Sequence, residues 1–312
     1  MKVDLETSGP IDVPKPLDDE QVQQYIDDGY LAAEGLVSDE DVENMRADLV
    51  KLARGGYPCE SLKPLPAGLS DVEVLSRILC IHQPHYISDV MLRYAKHPPI
   101  AGALSQVVAA HLPVWDGSVN CMQTMLFAKP PGFQGQAWHQ DEIYIPTRDR
   151  SLCGAWIALD DATVENGCLW VLPGSHRNGM LYPQRPHEMP EEFDFADMSY
   201  GFDDSAEIPV EVRAGTVVFF NGYLLHRSRV NRSDRYRRVL VNHYCNAWSR
   251  LPWSIVDGES PSRANRRCIV PVAGVDPYAW QGIDPAGDNV YLRSSQAADA
   301  ALQKPLAERD SD

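Results

Sequence analysis

Between residues 118 and 248 the chain breaks into eight short apolar runs, at 120–128, 136–143, 151–159, 168–172, 208–213, 215–221, 224–229 and 237–247. Gly, Pro and Asn punctuate them, as they do between strands. A chain half built this way must stack its strands face to face to bury them. That predicts a β-sandwich or jelly roll with helices packed outside. A 33-residue insertion, 175–207, interrupts the series, and insertions of that length in such folds often act as lids.

The residues before 118 read differently. Residues 1–17 hold three prolines and no periodicity, so they are expected to form a loose arm. "LDDEQVQQYIDDGYL" predicts a helix with an acidic first turn, stopped at Gly29 and followed by a short strand at 30–36. In "SDEDVENMRADLVKLARGG", Ser38 suits the N-cap and Asp41 falls at N3, while Val42, Met45, Leu49 and Leu52 form one apolar stripe. A Pro-containing loop spans 57–75, and two further helices follow in "YISDVMLRYAKH" and "PPIAGALSQVVAAHL". The expected organisation is one domain over 18–250, helical over 18–117 with a β core over 118–248, followed by a mostly irregular extension over 251–312.

The net charge of −16 is unevenly placed. Residues 1–50 carry 14 acids and 3 bases, and residues 188–207 carry 8 acids and no base. Residues 227–238 instead carry six arginines against one aspartate. The overall sign argues against a general nucleic-acid binder, which needs a basic face. No apolar run is long enough to span a bilayer, and the N-terminus has no secretory core segment. Seven cysteines, an odd number with no C-x-x-C pair, predict reduced thiols in a cytoplasmic protein, neither a disulfide framework nor a thiolate zinc site.

The chemistry gathers in "WHQDE". On a strand, residues i and i+2 share a face, so His139 and Asp141 can converge on one cation. A lone H-x-D is a weak signal. His226, at the end of a later apolar run, supplies a second imidazole, and two His with one carboxylate on a β scaffold is the facial arrangement of non-haem Fe(II) oxygenases. Arg237 follows eleven residues on. Alternation puts Arg237, Val239, Val241 and His243 on one face of that strand and Arg238, Leu240, Asn242 and Tyr244 on the other. An inward arginine stays charged when desolvated and grips a carboxylate through two parallel bonds. That suits the far end of a 2-oxoacid cosubstrate.

Four stretches, "CMQTMLFAKPPG", "WHQDEIYIPTRD", "GAWIALDDATVENGCLWVLPGSH" and "LLHRSRVNRSDRYRRVLVNHY", resemble the phytanoyl-CoA dioxygenase family of Fe(II)/2-oxoglutarate-dependent oxygenases, and the resemblance covers roughly residues 18–248. It implies a double-stranded β-helix, that is, a mainly β, cupin-like core with packed N-terminal helices. It implies Fe(II) held by His139, Asp141 and His226, with 2-oxoglutarate as cosubstrate and O₂ as oxidant. Arg237 matches the family's cosubstrate arginine, and Met122, Gln140 and Trp156 match positions lining the cosubstrate pocket. The implied activity is hydroxylation of an unactivated C–H of a small organic metabolite, with release of succinate and CO₂. Desaturation, cyclisation or epimerisation by the same chemistry is the alternative, and a non-catalytic ligand-binding β-barrel is the rival from another class. In halogenating relatives a small residue replaces the carboxylate, so Asp141 favours hydroxylation or desaturation. Arg227 and Arg229, one and three residues beyond a ligand, are candidates for recognising an anionic substrate, and His243 is a further candidate for substrate contact.

Overall fold

The computed structural model describes residues 10–252, 265–284 and 290–295. Five helices lie in the first third: α1 (Asp19–Asp28), α2 (Asp39–Ala53), α3 (Asp71–Leu75), α4 (Asp89–Ala95) and α5 (Pro98–Val107). Asp18 and Gln21 close a capping box at the start of α1, and Gly29, with φ of 79°, takes the left-handed conformation that ends it. Ser38 and Asp41 cap α2 in the same way, as their spacing predicts. The stripe of Val42, Met45, Leu49 and Leu52 is buried throughout.

Thirteen strands are described: β1 (Tyr30–Ala33), β2 (Ile78–His82), β3 (Val119–Lys129), β4 (Cys153–Ala158), β5 (Leu169–Val171), β6 (Gln184–Arg185), β7 (Met198–Ser199), β8 (Ile208–Val210), β9 (Val217–Asn221), β10 (His226–Ser228), β11 (Arg237–Asn246), β12 (Val270–Ala273) and β13 (Tyr291–Ser294). The major sheet runs β1-β9-β4-β11-β3-β2-β13, with β12 also paired to β3. A minor sheet, β10-β5-β8, faces it, and β6 pairs with β7 inside the insertion. All of these pairings are antiparallel.

Strand alternation divides the core. Ala155, Ile157, Val217, Phe219 and Leu240 turn outward and pack with the helices. Trp156, Ala158, Val218, Phe220, Val239 and Val241 turn inward, toward Leu169 and Val171 of the minor sheet. Two faces of one sheet thus bury two cores, which is why its strands read as nearly continuous apolar runs. Among the described residues no helix is long and apolar enough to cross a membrane.

Several expectations need correction. The arm expected over 1–17 is packed where it is described, since Ile11 bridges Gly274 and buried Leu17 hydrogen-bonds Gln106 through its backbone, while residues 1–9 lie outside the described residues. The stretch 57–75, read as a loop, ends in α3. The run 136–143 is not a strand: only a single bridge forms, between His139 and His226, and the chain then turns into a 3-10 helix at Asp141–Ile143. The described residues after 250 are less irregular than their Pro and Gly suggest, because β12 and β13 extend the major sheet; residues 253–264, 285–289 and 296–312 lie outside the described residues. β2 was hidden in the helical half for a similar reason, being five residues with no turn signal of its own.

Gly135 shows how tightly the segment before His139 is held. A Cβ there would sit 1.8 Å from the Ser228 carbonyl oxygen and 2.7 Å from Arg229 Cα, both backbone atoms. Gly135→Ala is therefore expected to cost about 2–3 kcal/mol, the upper range for overpacking. A urea midpoint equal to that of the parent would contradict this.

Candidate metal centre

The site begins with two backbone hydrogen bonds. His139 N donates to His226 O (3.0 Å), and His226 N donates to His139 O (3.1 Å). This reciprocal pair fixes the two residues opposite one another, with ring centroids 4.1 Å apart. Each ring is then oriented by its own neighbourhood. Nδ1 of His139 meets Ala137 O at 2.8 Å, and Nδ1 of His226 meets Leu224 O at 2.9 Å. Carbonyls only accept, so both Nδ1 atoms carry the proton and both Nε2 lone pairs are presented.

Asp141 Oδ1 lies 3.5 Å from His139 Nε2 and 3.6 Å from His226 Nε2. These distances are too long for hydrogen bonds and suit three atoms arranged around one cation. All three ligand atoms lie within 4.8 Å of one another, and all three residues are buried. Burial, with His226 adding to it, pushes the His139 imidazole down to about 3, which keeps it in the neutral form a metal needs. Burial works to raise the Asp141 carboxyl, but His226, His243 and His139 outweigh it and hold the group below the usual carboxylate range. Two imidazole nitrogens and one carboxylate oxygen on one side of a cavity are the donor set for a divalent transition metal with open positions.

The second carboxylate oxygen is already engaged. His243 Nε2 donates to Asp141 Oδ2 at 2.8 Å. That leaves Oδ1 to face the cation position, the usual arrangement by which an outer residue orients a metal ligand. His243 thus sits against the ligand itself, which is closer to the metal than the substrate contact first considered for it.

The triad opens into a cavity of about 420 Å³ whose lining includes Arg237, Trp156, Val241 and His243. The alternation read from 237–243 is realised, since Arg238 turns the other way and pairs with Asp160 (2.6 Å). Arg237 is buried, its guanidinium lies 5.4 Å from the centre of the Trp156 ring, and its Nε has no hydrogen-bond partner. Burial lowers it to about 10, so it remains a cation at neutral pH. A buried, incompletely paired guanidinium is expensive to keep, and this one lines the cavity.

Met122 and Gln140 do not line the cavity. Met122 packs with Ile145, Leu152 and Cys245. The β3 residues that face inward are the register partners of His243, Val241, Val239 and Arg237, namely Gln123, Met125, Phe127 and Lys129. Gln140 is fully buried behind the site: its Nε2 donates to Met180 O and Tyr223 O, and its Oε1 accepts from Tyr182 N. It ties the insertion to the metal-binding segment.

Arg227 and Arg229, the candidates for substrate recognition, are engaged in ion pairs. Both pair with Glu207 of the insertion, through contacts of 2.6 and 2.8 Å. Arg227 also lies 4.5 Å over the Trp138 ring, and Arg229 lies 4.5 Å over Trp170. Arg232 pairs with Glu192. The acidic insertion thus folds onto the basic hairpin and pairs with Arg227, Arg229 and Arg232.

Lys129 was missed by sequence reasoning. It is buried opposite Arg237 in the β3–β11 register, lines the cavity and donates to Arg229 O. Burial, then Arg237, pushes its amine well down. Counting in twos along β3 from Gln123 would have found it.

The sequence profile of the phytanoyl-CoA dioxygenase family (PhyH) matches residues 25–239. The peroxisomal phytanoyl-CoA dioxygenase of Rattus norvegicus is 30% identical over 244 residues, covering 72% of this chain and 67% of that protein. The phytanoyl-CoA dioxygenase domain-containing protein 1 of Danio rerio is 27% identical over 282 residues, 78% of this chain and 97% of that one. With phytanoyl-CoA dioxygenase 1 of Oryza sativa subsp. japonica the identity is 36% over 137 residues, and the match spans 48% of that relative's length. Among solved structures, the epimerase SnoN from nogalamycin biosynthesis superposes with a TM-score of 0.58 at 19% identity, covering 92% of this chain and 96% of its own. EctD from S. alaskensis, with 2-oxoglutarate and 5-hydroxyectoine, gives 0.58 at 20% identity, over 85% and 89% of the two chains. At these identities the structures speak to the fold alone, and that fold is a cupin-like jelly roll.

Proposed function

Because the chain belongs to the phytanoyl-CoA dioxygenase family of Fe(II)/2-oxoglutarate oxygenases, we propose that it is an oxygenase of this class that hydroxylates an unactivated C–H of a small organic metabolite. The observation carrying this reading is the meeting, in one cavity, of the His139, Asp141 and His226 ligand atoms with the buried cation of Arg237. When bound there, Fe(II) and 2-oxoglutarate supply O₂-dependent oxidation of a C–H, with the 2-oxoacid converted to succinate and CO₂.

The chain's own residues have separate tasks in this proposal. His139 and His226 hold the metal through Nε2 and Asp141 through Oδ1, while His243 keeps the carboxylate turned. Arg237, backed by Trp156, receives the distal carboxylate of 2-oxoglutarate and fixes its orientation. The insertion, anchored at Gln140, Trp138 and Glu207, covers the segment that carries the ligands and helps to exclude water. The Asp141 carboxylate leaves no space at that position for a halide, which favours hydroxylation over halogen transfer. All seven cysteines are unpaired, which supports a reducing compartment such as the cytoplasm.

The test is an anaerobic titration with Fe(II) and 2-oxoglutarate, followed by a screen of metabolites for substrate-dependent succinate release. The chelate gives a weak visible absorption band, and its appearance is the expected result. No band at saturating concentrations would overturn the oxygenase reading and favour a non-catalytic ligand-binding barrel.

A further inference from the structure

Four cationic side chains line the main cavity among the described residues: Lys129, Arg227, Arg237 and Arg293. Three are committed. Lys129 donates to a backbone carbonyl, Arg227 is gripped by both oxygens of Glu207, and Arg237 is the cosubstrate's partner in the proposal above. Arg293 differs. It comes from β13, in the extension after residue 250; its backbone pairs with Cys80 on β2, while its side chain makes no hydrogen bond among the described residues. It forms an ion pair with Asp194 of the insertion at 3.7 Å, a contact too long for a hydrogen bond. Its side chain is 38% exposed, so the fork is accessible.

The wall beneath Arg293 is polar and under-satisfied. His82 on β2 is 5% exposed, and neither ring nitrogen has a hydrogen-bond partner. Tyr291, two residues before Arg293 and opposite His82 in the β13–β2 register, stacks on that imidazole at 4.0 Å with planes 10° apart. Burial, with Arg293 adding to it, pushes His82 down to about 3, so the ring is neutral and retains one N–H. Gln123 faces the same cavity. Leu79 and Ile145 supply apolar surface nearby.

We propose that Arg293, with His82 and Gln123 below it, is the substrate-recognition subsite, and that it takes an anionic group, a carboxylate or a phosphate ester, carried by an otherwise apolar substrate. The physical reason is pairing. Arginine's planar fork matches either anion bidentately, and Asp194 is too distant to fill it. The C-terminal extension thereby acquires a role, since β13 brings both Arg293 and the stacking ring of Tyr291 to the cavity. The assignment of the bound molecule as substrate rests on the oxygenase reading, whereas the anion subsite itself does not.

The experiment is calorimetric titration of the full chain with hexanoate, hexyl phosphate and hexanamide. It is run anaerobically with Fe(II) and saturating 2-oxoglutarate, and again with neither. The parent protein is expected to bind at least one of the two anions roughly tenfold more tightly than the neutral amide, the order of one charge-assisted pair. Which anion is preferred separates the carboxylate from the phosphate ester. In Arg293→Gln the preference is expected to fall to within about twofold, and Arg293→Lys should keep part of it. Amide binding as tight as both anions, no measurable anion binding at tens of millimolar, or a preference lost in Arg237→Gln but kept in Arg293→Gln would each overturn the proposal. A missing chelate band alongside an Arg293-dependent anion preference would remove the oxygenase reading and leave the subsite standing.

Discussion

Asp141→Ala is expected to abolish 2-oxoglutarate turnover, a loss on the order of 10³ or more, while the far-ultraviolet circular dichroism remains that of the parent. The asymmetry follows from the construction of the site. The two imidazoles are positioned by backbone hydrogen bonds that do not involve Asp141. Removing the carboxylate removes the one anionic donor and leaves His243 Nε2 without its 2.8 Å partner. Two neutral ligands remain, so Fe(II) is expected to bind more weakly and without the carboxylate that His243 orients. The measurement is Fe(II) binding by calorimetry beside succinate release. Retention of substantial activity would sink the triad assignment, and a collapse of the circular dichroism would assign Asp141 to the fold.

Arg237→Gln should raise the KM for 2-oxoglutarate by roughly 10²–10³, because leaving a buried charge without its partner costs about 3–5 kcal/mol. The sign of its effect on stability is the more specific expectation. The free protein already bears the cost of burying this cation with an unpartnered Nε. Replacing it with a neutral amide is therefore expected to leave the thermal midpoint unchanged or raise it, measured without cosubstrate. A variant that lost stability and affinity together would indicate that Arg237 supports the barrel and does not serve an anion.

How far this was readable in advance varies by residue. Arg237 and Trp156 stand on strands of clean alternation, so their facing follows from counting in twos. Met122 is assigned to the pocket by the family resemblance alone, and alternation with Gln123 and Met125 puts it on the other face. Gln140 comes from the same resemblance, and it sits between His139 and Asp141 with its side chain bonded to Met180, Tyr182 and Tyr223, away from the cavity. The spacing of His139 and Asp141 suggested the right pair on the wrong scaffold. What holds them together is the bridge to His226, 87 residues away by number. The arginines beside His226 looked free because their partner, Glu207, reaches them only after the insertion has folded back. Local composition displays such charges without showing their pairing. The strands after residue 250 were illegible because edge strands of four residues carry too little pattern to rise above Pro and Gly.

The reciprocal backbone hydrogen bonds between His139 and His226 have a consequence for how the centre responds to losing its ion. In a site whose ligands are gathered by the cation, emptying it releases the chain, and the entropy of regathering must be met at every reloading. Here the two imidazoles are bolted across a two-rung ladder that persists whatever occupies the space between them. The resting protein therefore keeps a standing template, and exchange of the ion becomes a matter of access through the mouth, independent of unfolding and refolding. Such rigidity is a gain in speed and a loss in discrimination: a template that does not adapt accepts any divalent ion of similar radius, and the affinity order of the metals themselves then decides which one wins.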